Sequence, residues 1–173
     1  MLAVKNFIAL LAFLLLQNSS SIIAQSVNAK GKLIIVGGGS MPDTMYQLFA
    51  KSIGGKDQSV VVIPTATNDS AINAGAHLTR FKKEGFTNLI TIHARSKDAA
   101  DAPAFIKAIQ NAKGIYFSGG DQSRIADAFL GTQVHAAMLD LFKRGGVFMG
   151  TSAGATIMGT LLVGGDARKD LTK

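Results

Sequence analysis

Cysteine is absent from the 173-residue chain. That excludes disulfides, thiolate metal sites and a cysteine nucleophile. Proline is scarce, with three residues against nineteen glycines. The balance suits an α/β protein with many tight strand-to-helix turns. Charged residues make up only 17% of the chain and hydrophobic ones 47%, enough for one domain with a real core. No dense basic patch with interleaved aromatics accompanies the formal charge of +7. Lys82-Lys83, Lys143-Arg144 and Arg168-Lys169 are scattered pairs, so no nucleic-acid partner is expected.

The longest apolar run stands at the N-terminus. Lys5 supplies a short positive region, residues 7–16 are uninterrupted and apolar, and Ser19-Ser20-Ser21 leads to Ile22-Ile23-Ala24 before Gln25. The run is shorter than the roughly 20 residues that cross a bilayer. Residues 1–24 are therefore expected to be a secretory signal peptide, with an uncleaved anchor as the alternative. The absence of cysteine excludes a lipoprotein anchor. Residues 25–173 are expected to form one secreted or periplasmic domain, with no stable membrane insertion after cleavage.

Strands and helices alternate along that domain. Lys32-Leu33-Ile34-Ile35-Val36 reads as a first strand, followed by Gly37-Gly38-Gly39-Ser40-Met41-Pro42-Asp43 and a helix over 43–53. The triple glycine does not complete a dinucleotide fingerprint, because Pro42 stands where the last glycine is required. A tight turn lining a pocket is the better reading. Residues 59–63 read as a second strand, with Val60-Val61-Val62-Ile63 apolar and β-branched, the pattern of a strand buried on both faces of a parallel sheet. Pro64-Thr65-Ala66-Thr67-Asn68 closes that strand, and a single helix capped by Asp69 or Ser70 is expected to run to about Glu84. A third strand over 88–93, a polar loop over 94–98 and a helix over 103–110 follow. A fourth strand, 115–117, enters Ser118-Gly119-Gly120-Asp121-Gln122-Ser123-Arg124 and a helix over 122–130. A last helix, 132–144, leads to a strand over 147–149. The repeated β-α order predicts an α/β fold, a doubly wound and mostly parallel sheet with helices on both faces. Ligands bind such sheets at the C-terminal ends of the strands.

The final strand runs into Gly150-Thr151-Ser152-Ala153-Gly154, which fits G-x-S-x-G. Strand, sharp turn and helix form the context of a nucleophile elbow, in which the turn lifts a serine hydroxyl clear of the sheet. The glycines leave room for neighbouring backbone. Free N–H groups at the start of the following helix would face an oxyanion above Ser152. The alternative is a Gly-rich turn with an incidental serine.

Phe117-Ser118-Gly119-Gly120-Asp121-Gln122-Ser123-Arg124 followed by Gly150-Thr151-Ser152-Ala153-Gly154-Ala155 resembles the cyanophycinase branch of the S51 serine peptidases. The resemblance covers about residues 31–165, including the Gly-rich first loop and His93-Ala94-Arg95. It implies a flavodoxin-like sheet related to class I glutamine amidotransferases, with serine in place of cysteine. It also implies hydrolysis of peptide bonds made by aspartate, such as those of a β-aspartyl-arginine polymer or an aspartyl dipeptide. No metal or organic cofactor is implied, and family members are often dimers, which suggests a homodimer. By the same resemblance Ser152 matches the nucleophile, Gly120 and Ala153 the oxyanion hole, and Gln122 a substrate contact. Asp121 and Arg124 lie near the expected pocket and could meet charged substrate groups or pair within the loop.

The chain departs from the family pattern after Ser152. A serine hydroxyl needs a base, and in the family the histidine and its acidic partner follow the serine. Residues 153–173 contain no histidine. Upstream, His77 and His135 read as surface or helix-packing residues. His93, at the expected end of the third strand, is the one substitute that faces the functional edge. Three readings remain open: a truncated exported S51 peptidase, a protein that binds aspartyl peptides without cleaving them, or an α/β-hydrolase-type esterase. The first is favoured, because the signal, the elbow and the Gly-Gly-Asp-Gln turn are all intact. A sheet ending at the elbow strand would leave that edge uncovered, which predicts self-association.

Overall fold

Five short strands, none with more than five residues, form the centre of the chain in a computed structural model that describes residues 30–160. The signal expectation at 1–24 and Gly164-Gly165 lie outside those residues. In chain order the elements are β1 (Lys32–Val36), α1 (Asp43–Ile53), β2 (Val60–Ile63), α2 (Asp69–Asn73), α3 (Ala76–Lys83) and β3 (Leu89–Thr91). They continue with α4 (Lys97–Ala100), α5 (Pro103–Asn111), β4 (Gly114–Phe117), α6 (Gln122–Phe129), α7 (Gln133–Lys143), β5 (Val147–Thr151) and α8 (Ala153–Thr156). The strands form one sheet in the order β1-β5-β4-β2-β3, and every pairing is parallel.

Side chains alternate between the two faces of a strand, and both faces of this sheet are covered. Val61 and Ile63 of β2, Ile115 and Phe117 of β4 and Phe148 of β5 enter one core with α5, α6 and α7. Val60, Val62, Tyr116, Val147 and Met149 enter a second core with α1 and α3. Phe81 anchors that second core. It is 1% exposed, and its ring lies 4.9–5.1 Å from those of Tyr46, Phe86 and Tyr116. The doubly wound parallel architecture is thus present.

Three expectations need correction. The single helix expected to end near Glu84 is two, α2 and α3, parted at Ala74-Gly75, where Gly75 takes φ +70 and cannot continue a right-handed helix. Its cap is Asn68, whose side chain accepts the Ala71 N–H at 2.9 Å, rather than Asp69 or Ser70. The polar stretch after the third strand contains α4, because Ser96 caps a new helical turn by accepting the Ala99 N–H. The elbow strand β5 is not at an edge either. It pairs with β1 and β4, and the edges are β1 and β3. Among the described strands, the exposed large apolar side chains are on the edge strand β1, with Leu33 47% and Ile35 59% exposed.

Strand order places the crevice. The connection from β2 leads outward to β3, whereas that from β4 leads the other way, to β5. The C-terminal ends of β2 and β4 therefore flank the topological switch point, where α/β sheets bind ligands. No helix among the described residues is long and apolar enough to cross a membrane.

Candidate active site

Ser152 leaves the end of β5 with φ 51 and ψ −119, and it is the one non-glycine residue with positive φ among those described. Such a conformation costs of order 1–3 kcal/mol and persists only where the surroundings impose it. Here the surroundings are identifiable. The Ser152 N–H donates to Val36 O at 3.0 Å, and Thr151 Oγ1 donates to Gly37 O at 3.0 Å. Ala155 and Thr156 N–H groups close on Ser152 O at 2.9 and 3.0 Å, starting α8. The elbow is thereby held between the end of β1 and the start of a helix, with its side chain exposed.

The two motif glycines are required by close approach. A Cβ on Gly150 would lie 2.1 Å from Gly154 O, and one on Gly154 would lie 2.1 Å from Phe117 O. Gly154 therefore brings α8 directly onto the end of β4, and with it the turn after β4. A Cβ on Gly119 would lie 3.4 Å from Ser152 Cβ, so the Gly119-Gly120 turn adjoins the serine. Two sequence motifs more than thirty residues apart meet at one point.

N–H groups are available there. Among the described residues no hydrogen-bond acceptor reaches the N–H of Gly120 or Ala153, whereas Asp121 N–H is taken by Ala66 O and Ser152 N–H by Val36 O. Gln122, the first residue of α6, is buried at 8% exposure. Asp121 caps the same helix by accepting the Ser123 N–H at 2.9 Å. Arg124 donates to Thr67 O at 3.3 Å and stands 3.8 Å from the Asp121 carboxylate. Asp121 and Arg124 thus have partners within the loop cluster, while both remain exposed to a ligand.

A cavity of about 250 Å³ opens beside Gly119, lined among others by Tyr46, Thr67, His77, Arg80 and Tyr116. Burial, with a smaller push from Glu84, raises the Tyr46 hydroxyl to about 12. Burial, with Tyr46 nearby, raises that of Tyr116 as well. Both remain protonated donors at neutral pH.

The structure removes His93 as a substitute base. Strand β3 ends at Thr91, and β2 and β4 stand between it and β5. At about 4.8 Å per strand the three intervals span roughly 14 Å. His93 is engaged locally instead. Its Nδ1 lies 3.1 Å from Thr65 Oγ1, and its Nε2 lies 3.4 Å from Asp69 Oδ1. Burial, then Arg95, lowers its pKa below 6.5, against a smaller opposing pull from Asp69. Asp69 is itself held below the usual carboxylate range, first by its hydrogen bond from Arg95. His77 Nε2 lies 2.9 Å from Thr91 Oγ1, and burial lowers its pKa. His135 Nδ1 accepts the Gly131 N–H at 3.3 Å, on α7. All three of the chain's histidines lie within the described residues, and each has a local partner. Among those residues, no group of three or more His, Cys, Asp and Glu could hold a metal ion.

The family model for peptidase family S51 matches residues 16–171. The chain belongs to peptidase family S51. It is 26% identical over 122 residues to a cyanophycinase from Geminocystis herdmanii (strain PCC 6308), an alignment that covers 70% of this chain and 45% of the relative. It is 23% identical over 167 residues to a cyanophycinase from Synechococcus elongatus, covering 94% of this chain and 52% of the relative. The chain thus spans about half the length of the curated relatives it matches. The crystal structure of a peptidase from an acI-B1 Actinobacterium superposes with a TM-score of 0.66 at 25% identity, over 76% of this chain and 58% of that one. A putative peptidase E protein from Listeria monocytogenes EGD-e shares the fold, with a TM-score of 0.53 at 19% identity over 74% of this chain and 61% of that one. S51 membership makes this chain part of a peptidase family, as the paired motifs implied.

One supporting segment was not legible from the motifs. Pro64-Thr65-Ala66-Thr67-Asn68 reads only as the end of a strand. In the fold it supports the S51 turn at Gly119-Gly120, through Ala66 O and Thr67. The signal present in the sequence was a pair of threonines, Thr65 and Thr67, shortly after a strand buried on both faces.

Proposed function

We propose that this chain carries the nucleophile half of a serine-type S51 peptidase, which cleaves peptide bonds made by aspartate. Ser152 Oγ attacks the substrate carbonyl and gives up its proton to a base supplied from outside this half. The C–N bond then breaks, the amine leaves with that proton, and water hydrolyses the acyl-enzyme. The N–H groups of Gly120 and Ala153 receive the oxyanion, with Gln122 and, at the rim, Asp121 and Arg124 meeting the substrate. Removing one oxyanion donor generally costs about 2.7–4 kcal/mol of transition-state stabilisation. The observation that carries the reading is the backbone of Ser152 at φ 51 and ψ −119, beside a turn at which a Cβ on Gly119 would lie 3.4 Å from Ser152 Cβ. The cyanophycinase relatives support a β-aspartyl-arginine polymer as substrate. The apolar run at 7–16 supports export of the protein.

A second reading is favoured by a different observation: the chain's histidines all have partners away from Ser152. A serine without a base would bind aspartyl peptides and leave them intact. One experiment separates the two readings. The full chain is incubated with β-aspartyl-arginine polymer, alone and together with the C-terminal half of a curated cyanophycinase, and released dipeptide is measured. Release that disappears in Ser152→Ala supports the peptidase. Binding of the polymer without release in either mixture supports the second reading, and neither binding nor release overturns both.

A further inference from the structure

The turn beside Ser152 is built on a loop that the proposed chemistry does not use. Gly120, at φ +138, lies so close to that loop that an added Cβ would be 2.2 Å from Ala66 O. Asp121 N–H donates to Ala66 O at 3.0 Å, and Ser118 N–H donates to Ile63 O at 3.1 Å. Thr67 Oγ1 donates to Gly119 O at 3.1 Å, and Ser118 Oγ lies 3.3 Å from the same hydroxyl. The loop is fixed in turn. Thr67 N–H donates to Pro64 O at 2.8 Å, and Arg95 donates to Thr65 O at 2.6 Å and Thr67 O at 2.7 Å.

The carbonyl of Gly119 and the N–H of Gly120 belong to one peptide plane. In a planar trans peptide the two point in opposite directions. Holding the carbonyl therefore aims the N–H. A peptide between two glycines has little steric resistance to turning over, because neither residue has a Cβ. Something outside the turn must set its direction, and the Thr67 hydroxyl is the side-chain group bonded to that carbonyl.

We propose that Thr67 is a positioning residue, whose hydroxyl holds the Gly119 carbonyl and so keeps the Gly120 N–H turned toward the oxyanion at Ser152. The proposal rests on the reading of Ser152 as nucleophile and Gly120 as oxyanion donor. Thr67 does not touch the reacting atoms. It acts through the peptide it orients, across 52 residues of sequence.

Thr67→Val keeps the shape of the side chain and removes the donor, and Thr67→Ser keeps the donor. Full-length chains are compared in two measurements: the orientation of the Gly119-Gly120 peptide in crystal structures, and the rate at which an alkyl fluorophosphonate labels Ser152. Phosphonylation builds negative charge on the phosphoryl oxygen and so reads the oxyanion donors. The expected result is a turned-over Gly119-Gly120 peptide in Thr67→Val, with labelling slowed about tenfold or more. The ceiling is the 10²–10³-fold loss seen when a donor is removed outright. Thr67→Ser keeps the parent orientation and rate. An unchanged peptide, or a melting temperature that falls while the labelling rate holds, overturns the role. Absence of labelling in the parent chain is the result for a serine without its base, and the peptide orientation alone then decides whether Thr67 sets it. If Thr67→Val does not fold, Thr67→Ala is subject to the same criteria.

Discussion

Two groups of reactive side chains stand along the same edge of the sheet, with the ends of β2 and β4 between them. At the end of β5, Ser152 is exposed and strained and has no imidazole beside it. At the end of β3, His93 lies between Thr65 and Asp69, at 3.1 and 3.4 Å. That second group has the residue types of a hydroxyl–imidazole–carboxylate relay. Its hydroxyl, however, belongs to Thr65, which is 0% exposed. No substrate carbonyl can reach it. The comparison teaches that triad chemistry depends on access and backbone geometry more than on residue type. One region has the strained backbone of an elbow and, among the described residues, no imidazole bonded to its serine. The other has the base and the acid around a hydroxyl sealed in the core, where they hold a loop.

The largest expected effect lies at the elbow. Gly154→Ala would place a Cβ 2.1 Å from Phe117 O and 2.8 Å from Ser118 O, both backbone atoms. Overpacking against backbone is expected to cost about 3 kcal/mol, read as a lower denaturant midpoint, together with loss of Ser152 labelling. A variant that melts like the parent would mean that the close approach of α8 to β4 is not rigid.

The β3 region should respond less. Arg95 joins two carbonyls and the Asp69 carboxylate at once, through hydrogen bonds that suit the planar guanidinium fork. Lysine cannot reproduce that fork. Because Arg95 is about a third exposed, Arg95→Lys is expected to cost about 1 kcal/mol, measured by thermal melting.

Acid should distinguish the regions further. His77 and His93 both have pKa values lowered from 6.5 in the fold, so the unfolded chain binds more protons just below that pH. Stability is therefore complete above about pH 7 and falls as the pH drops through 6.5. Asp69 has a pKa lowered from 3.8, so its contribution is present above 3.8 and is lost at still lower pH. Denaturant melts between pH 4 and 8 would show the first limb, and His93→Gln should shrink it. A flat profile over that range would contradict the burial of both imidazoles.

The smallest expected effect is a null one, and it tests the separation directly. His93→Gln should leave the fluorophosphonate labelling rate of Ser152 within about twofold of the parent, because the strand spacing keeps them roughly 14 Å apart. A tenfold fall would join the two regions into one site.

Much of the architecture is written in local sequence. Val60–Ile63 reads as a strand buried on both faces because all four side chains are apolar, and alternation sends them to both cores. Gly150-Thr151-Ser152-Ala153-Gly154 reads as an elbow because its small residues allow a turn that larger ones would block, and the structure gives Ser152 the strained backbone to match. Tertiary structure decided which strand ends are neighbours. His93 faces the functional edge in sequence terms, yet β2 and β4 intervene. The elbow strand, expected at an edge, is interior because β1 pairs with it from the far end of the chain. Thr67 could not be singled out either, since its partner is the Gly119 carbonyl, brought near only by the pairing of β2 with β4. Backbone preference and hydrophobic alternation act over a few residues and are legible in the sequence. Strand order depends on how helices pack across both faces at once, and that is settled only when the whole sheet has formed.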